Sequence, residues 1–382
     1  MKRWFSTIAL LLIFVNNHGQ DSLDKSWELK GYLKDLNIIL FSNAFRNVSY
    51  TNLVHNRINF KWKPSEKITG AVEVRNRFYW GDQVQTIPHF GRQLRNDNEA
   101  MNLSGIWNIS NNSVLQSNVE RLWLEYRRTK WNVRAGRQRV NWGMANIWNP
   151  NDIFNTYNFL DFDYEERPGC DAVKIQYLVN ALSNIEVTTA LTNEKNKTIS
   201  ALKYSTNYKG YDLQFISGIF HRTFTAGIGW AGSIKNMGYK GEAQLFLNNK
   251  DSGNSVNLAM EVDYFFENGW YVNGAFLYNG NGLNAPVDDW SQVSFKISPT
   301  NLMPAKWNIL LGYSKEFTPL FSGSLSAEYS PGLDMFIFYP SFKYNMATDF
   351  DIDFVWQSVF AQVENRFQDV THAGFIRLKW SF

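Results

Sequence analysis

The chain has 382 residues, 44% hydrophobic and 19% charged, with a formal net charge of +3 and a single cysteine, Cys170. So small a charge excludes the concentrated basic excess of a nucleic-acid-binding protein, and one thiol excludes an intramolecular disulfide framework. Aromatic residues make up 16% of the chain, yet beyond residue 20 no apolar run approaches the roughly 18 residues that mark a transmembrane helix.

The amino terminus carries Lys2 and Arg3, then an apolar run from Ile8 to Val15, then the polar stretch Asn16-Asn17-His18-Gly19-Gln20. That order is the order of a secretory signal peptide. Residues 1–20 are assigned to it, with cleavage near Gly19 or Gln20, and 21–382 form the mature domain. The apolar run is too short to span a bilayer as a helix, and no Cys follows it for lipid anchoring.

From Trp27 onward, side chains alternate with a period of two, the signature of strands with unlike faces. Ile58, Phe60 and Trp62 oppose Arg57, Asn59 and Lys61; Val72, Val74, Phe78 and Trp80 oppose Glu73, Arg75 and Arg77. Leu122, Leu124 and Tyr126 oppose Arg121, Glu125 and Arg127, and Val256, Leu258, Met260, Val262 and Tyr264 oppose Asn257, Glu261 and Asp263. Phe350, Ile352, Phe354 and Trp356 oppose Asp349, Asp351 and Asp353, and the last strand sets Ile376, Leu378, Trp380 and Phe382 against Arg377, Lys379 and Ser381. Rows of charge are too costly to bury in a dry core. They fit a barrel whose apolar face meets lipid and whose polar face meets a wet lumen.

Short turn signals such as Arg128-Thr129-Lys130 and Glu267-Asn268-Gly269 alternate with long connections at about 81–117, 141–170 and 280–304. With the first strand rising from the periplasmic side, each long connection follows an odd strand. The predicted fold is all-β, a transmembrane antiparallel up-and-down barrel of about 18 strands, or 16 if two segments near 197–220 are misread. A soluble sandwich would have to cover the charged faces with a second layer. Strands begin so soon after the signal that no plug domain is expected.

Cationic residues crowd the first half: Arg57, Lys61, Arg75, Arg77, Arg121, Arg127 and Arg134 share the polar parity and are predicted to line one basic wall. Arg137 and Arg139 fall on the other parity, so either Gly136 marks a bulge or they reach the outer rim. Asp161, Asp163, Glu165 and Glu166 follow in an aromatic loop, 141–170, predicted to fold inward. Acids facing a basic wall would set a transverse field at a constriction; alternatively they pair with the arginines and hold the loop. Asp161, Asp163 and Glu165 also have a Ca²⁺-compatible spacing but lack the EF-hand glycine and distal glutamate. The mature histidines, His55, His89, His221 and His372, are scattered. No metal site or other cofactor is expected.

The run Ala135-Gly136-Arg137-Gln138-Arg139-Val140-Asn141-Trp142-Gly143, then Asn149-Pro150-Asn151-Asp152, then Arg167-Pro168-Gly169, resembles the signature of porin-like outer-membrane barrels of Gram-negative bacteria, themselves similar to alginate-export-type porins. Arg137, Gln138, Trp142, Asn149 and Asp152 are the matching positions, and Asn-Pro-x-Asp is strong turn chemistry by itself. The aromatic carboxy-terminal strand likewise resembles the assembly signal of such barrels. The resemblance implies a passive channel for small hydrophilic, possibly anionic, solutes. Its partners would be outer-membrane lipid, lipopolysaccharide and the barrel-assembly machinery, as a monomer or trimer. The sequence shows no glycine-x-serine-x-glycine elbow and no serine–histidine pairing of a barrel-embedded hydrolase. A structural or adhesive surface barrel is the other reading.

Overall fold

The computed structural model describes residues 26–42, 45–95, 99–156, 160–161, 163, 168–194, 196–249 and 253–382. The proposed signal peptide, Glu165 and Glu166 lie outside these residues. The strands in chain order are β1 (Trp27–Ser42), β2 (Asn47–Ser65), β3 (Ile68–Gly81), β4 (Ser104–Ser110), β5 (Ser113–Arg127), β6 (Trp131–Gln138) and β7 (Cys170–Leu178). There follow β8 (Asn184–Leu191), β9 (Ile199–Tyr208), β10 (Tyr211–Phe220), β11 (Thr223–Ile234), β12 (Met237–Asn249) and β13 (Gly253–Phe265). The last are β14 (Trp270–Asn279), β15 (Trp307–Thr318), β16 (Phe321–Ser330), β17 (Met335–Ala347), β18 (Phe350–Val363) and β19 (Arg366–Ser381).

All pairings between these strands are antiparallel, and 18 of the 19 strands close one barrel. Closure runs through β1 and β19, from Tyr32 opposite Ser381 to Ser42 opposite Thr371. Gly31 and Phe382 exchange two backbone hydrogen bonds of 2.9 Å, so the terminal residue completes the seam. A side chain at Gly31 would collide with the Phe382 ring and the Arg57 carbonyl. A closed ladder leaves no unpaired edge for hydrocarbon, which offers no hydrogen bonds.

The remaining strand, β4, pairs only with the upper half of β5, while β6 pairs with the lower half. The connection from β3 to β5 is therefore not a plain loop. It holds short helices at Asp82–Thr86 and Phe90–Gln93, which pack Val84, Phe90 and Leu94 against Leu36, Leu53, Tyr79 and Val114 on the lumen side. The other two long connections span 139–169 and 280–306.

Outward side chains form an exposed apolar belt with aromatic rims. Trp27, Trp62, Tyr126, Trp131, Tyr208, Trp270, Tyr344 and Phe382 are exposed where strands meet the short turns. Tyr50, Trp107, Phe224, Trp307, Tyr329 and Phe367 are exposed toward the long-loop side. Amphipathic rings at two levels, with an apolar band between, match a bilayer with its two interfaces.

Candidate functional site

The connection 139–169 enters the barrel and follows its inner wall. Val140, Trp142, Ile153 and Phe154 pack on Ala172, Ala190, Ile199, Ala201, Ile216, Phe220 and Phe246. Further round, Trp148 joins Leu277, Met335 and Ile337 of the wall and Leu302 and Met303 of the 280–306 connection.

Polar anchors guide the same path. The Trp142 indole N–H donates to Glu186 Oε1 (2.6 Å), and Gln214 donates to the Trp142 carbonyl (2.7 Å). Glu242 accepts the backbone N–H groups of Met144, Ala145 (2.7 Å) and Asn151 (2.8 Å). Glu261 accepts those of Asn146 (2.6 Å) and Ile147 (3.1 Å). Two buried carboxylates thus satisfy five backbone donors that an irregular segment would otherwise strand away from water. Asn149 folds back on the Ala145 carbonyl, and its side chain fills the space where a Cβ at Gly143 would lie, 2.6 Å away. Asp152 Oδ1 accepts the Trp142 N–H at 3.4 Å. The Trp-Gly and Asn-Pro-x-Asp elements are two halves of one folded turn.

The loop then reaches the basic side. Gln357 donates to the Leu160 carbonyl (2.6 Å), and Asp163 meets Lys34 (3.0 Å), Arg377 (3.1 Å) and His55 (3.5 Å). Burial pushes the Asp163 carboxyl up, but Lys34, His55 and Arg377 outweigh it and hold the group below the usual carboxylate range. Burial and the Asp163 charge raise the Asp161 carboxyl, against the pull of Arg75 and Arg77.

Of the predicted basic residues, Arg57, Arg75 and Arg77 sit at this level. Arg57 binds Glu73 and Asn59 (2.9 Å), Arg75 binds Glu120 (2.7 Å), and Arg77 binds Gln116. A bulge in β5 inserts Glu120 between the residues that pair with Glu73 and Val74. It turns Glu120 inward beside Arg121, which is buried and donates to the Glu120 carbonyl (2.8 Å). The others lie elsewhere. Lys61 pairs in register with Glu28 near the short-turn end of β2. Arg127 and Arg134 share Glu125 near the turn between β5 and β6, with Arg134 stacked over Trp123 at 4.1 Å. The residues expected to form one basic wall thus fall into three groups: Arg57, Arg75 and Arg77 at the level of Asp161, Arg121 beside Gly169 at the end of the loop, and Lys61, Arg127 and Arg134 near the short turns.

Arg137 takes the outer-rim alternative: the β5–β6 register runs unbroken through Gly136, and Arg137 stands opposite the exposed Leu122. Its partner Asp171 stands opposite the exposed Leu191. The two meet at 2.8 Å under residues 99–101, with Glu99 at 3.1 Å from Arg137 and Ala100 and Met101 donating to Asp171. Burial pushes the Glu99 carboxyl up to about 6 despite Arg137. Gln138 is fully buried and donates to the Ala172 carbonyl (2.9 Å).

Parity reasoning missed Glu186, Glu242 and Glu261, which look like any other lumen-facing acid until the loop is seen to cross them. It also missed Lys34 and His55, whose partner lies more than a hundred residues away. Among the described residues no cluster of His, Cys, Asp and Glu has metal-ligating geometry. One serine–histidine pairing does exist: His372 Nδ1 lies 2.8 Å from Ser358 Oγ and Nε2 3.4 Å from Asp369. The Trp356 indole donates to the same hydroxyl, and Phe45 stacks on the imidazole at 4.3 Å. Both Ser358 and His372 are buried, so the arrangement reads as a satisfied polar cluster.

Toward the short-turn end of the barrel, a cavity of about 550 Å³ is lined by Tyr271, Ser314, Ser322, Ser324, Ser341 and Lys343, among others.

No family model and no curated relative matches the sequence. Solved structures do share the fold. OccAB4 of Acinetobacter baumannii is similar over 94% of this chain and 98% of its own, with 8% identity and a TM-score of 0.60. The outer membrane protein OpdK of Pseudomonas aeruginosa is similar over 93% and 98%, with 7% identity and a TM-score of 0.57. A structure of OpdK with vanillate gives 93% and 98% coverage, 8% identity and a TM-score of 0.55.

Proposed function

We propose that the protein is an outer-membrane porin-like channel passing small hydrophilic solutes by diffusion, with the lumen charge favouring anionic ones. The observation that carries this reading is Asp163, on a loop folded into the lumen, facing Lys34, Arg377 and His55 from three adjacent wall strands. Charges of both signs across a constriction orient polar solutes and filter ions. An 18-strand barrel is wide enough to leave water beside such a loop. That OpdK has been solved with vanillate, which bears a carboxylate, agrees with an anionic solute. Asp161 and Asp163, with Arg57, Arg75 and Arg77, form the constriction; Glu165 and Glu166 belong to the same loop. Arg127, Arg134 and Lys61 line the periplasmic exit, and Arg121 roots the loop. Export by the 1–20 signal, insertion by the barrel-assembly machinery and contact with lipopolysaccharide complete the proposal. The likeness to alginate-export-type porins rests on the Gly136–Gly143 signature.

The apolar packing of 139–169 and 280–306 against the inner wall favours a second reading, a structural barrel closed to solutes. Planar-bilayer recording separates the two. Stepwise conductance with an anion-selective reversal potential is the expected result, and insertion without conductance steps would assign the structural role.

A further inference from the structure

The arc of lumen wall from β13 to β17 is built differently from the basic side. Phe265 on β13 shares a face with Ala259, which packs inward, because an even spacing keeps strand residues on one side. Register then sets one inward side chain from each of five adjacent strands in a single row. Phe265 stands opposite Tyr271, Tyr271 opposite Ser314, Ser314 opposite Ser324, and Ser324 opposite Ser341. The Ser324 and Ser341 hydroxyls share a hydrogen bond of 3.1 Å. All five residues line the 550 Å³ cavity at the short-turn end, and four strand spacings make the row about 19 Å long. Phe265 is its anomaly. Leu277, Met335 and Ile337 also point inward, but loop residues cover them; Phe265 faces the lumen 66% exposed.

An uncovered ring beside a line of hydroxyls is complementary to a solute with the same two faces. Each serine or tyrosine hydroxyl donates one hydrogen bond, accepts up to two and rotates to suit its partner. A solute rich in hydroxyls answers both roles. Phe265 instead favours an apolar surface, whose removal from water against the ring is stabilising. A pyranose ring carries both, an apolar C–H face and a hydroxyl rim. Local charge selects an uncharged one. Lys343 at the cavity edge is paired with Asp351 at 3.1 Å, and Glu316 lines the same cavity, so an anion meets no spare cation there. The row is longer than one sugar ring, and the cavity falls within the roughly 300–1,000 Å³ of small-molecule sites.

We propose that this row is a binding subsite for neutral saccharides of about two rings. Phe265 and Tyr271 stack on the C–H face, and Ser314, Ser324 and Ser341 hold the hydroxyl edge. The inference rests on the channel reading above and adds to it a second, uncharged class of solute. Cellobiose and maltose are the probes. Sorbitol, with hydroxyls but no ring face, and glucuronate, a ring with a charge, are the controls. Saturation-transfer NMR on the detergent-solubilised barrel, shown to be folded by heat-modifiable migration, reads binding without any need for current. The expected result is a saturable signal from the disaccharides, strongest at their C–H protons, and a weaker one from sorbitol. Phe265→Ala should weaken disaccharide binding about ten-fold, and the Ser324→Ala/Ser341→Ala variant several-fold. Val262→Ala, on the exposed outer face of the same strand, should leave it unchanged, and any glucuronate signal should ignore Phe265→Ala. A folded barrel that binds neither disaccharide, disaccharide binding that survives both lumen variants, or glucuronate binding that falls as far as cellobiose binding in Phe265→Ala would each overturn the proposal. Planar-bilayer current reports on the channel separately. A conducting barrel that binds no disaccharide removes the subsite alone, and a binding barrel without conductance removes the channel alone.

Discussion

Lys34 on the first strand and Arg377 on the last are held by the same oxygen, Asp163 Oδ1, at 3.0 and 3.1 Å. The loop that narrows the lumen thus also ties the seam at which the barrel closes. Arg377 is in turn held by Asp353 at 3.0 Å, which carries the network to β18.

Asp163→Asn tests that coupling. It removes the negative charge between two cations, one of them, Lys34, almost wholly buried. Loss of one partner from a buried pair costs about 3–5 kcal/mol. The unfolding temperature should fall, and the zero-current potential in a KCl gradient should move toward greater anion selectivity. An unmoved reversal potential would place Asp163 off the conduction path.

The same carboxylate sets an acid limit. Its folded pKa lies below its unfolded value, so its ion pairs contribute fully above the ordinary carboxylate pKa of about 4 and are lost as pH falls through the lower, folded value. Conductance and selectivity should hold steady from pH 7 to pH 5. Larger, noisier openings should appear only below the ordinary carboxylate range. Release near neutrality would contradict the assignment.

Arg75 and Arg134 lie at different heights in the lumen and so test the proposed constriction. Arg75 belongs to the group around Asp161, whereas Arg134 pairs with Glu125 near the short turn between β5 and β6. Arg75→Glu should shift the ion-permeability ratio several-fold toward cations, and Arg134→Glu much less. Equal shifts in single-channel reversal potential would show that the constriction does not control selectivity.

Glu242 is the main clasp on the loop. Glu242→Ala leaves the N–H groups of Met144, Ala145 and Asn151 without their acceptor, at about 1–3 kcal/mol for each buried donor so stranded. Current traces should show flickering between substates while heat-modifiable migration of the barrel persists. A quiet trace would mean that the apolar contacts of Trp142 and Trp148 hold the loop alone.

Arg137 acts on the other side of the wall. Arg137→Ala strands Asp171 and Glu99 under the strap at 99–101 and should lower the temperature of heat modification on gels. Selectivity should be unchanged, because the pair stands on the outer face.

Much of this was legible in residue order. Alternation at Ile58–Trp62, Val72–Trp80 and Ile376–Phe382 marks which side chains face outward, because a strand allows only two directions. Parity failed locally at Glu120, where a bulge adds one residue and turns two neighbours the same way. It also merged basic residues of one face into one wall, since alternation reports direction and not height.

The sequence alone therefore determined the strand pattern, the two unlike faces and the alternation of short turns with long connections, because each follows from local periodicity. Only the tertiary structure decided where the 139–169 loop runs, that Glu242 and Glu261 clasp it, and that Asp163 joins the first and last strands. Those contacts bridge residues roughly 90 to 210 positions apart. They exist because closing the barrel brings distant strands around one lumen, and the buried amides and cations there must find partners within it.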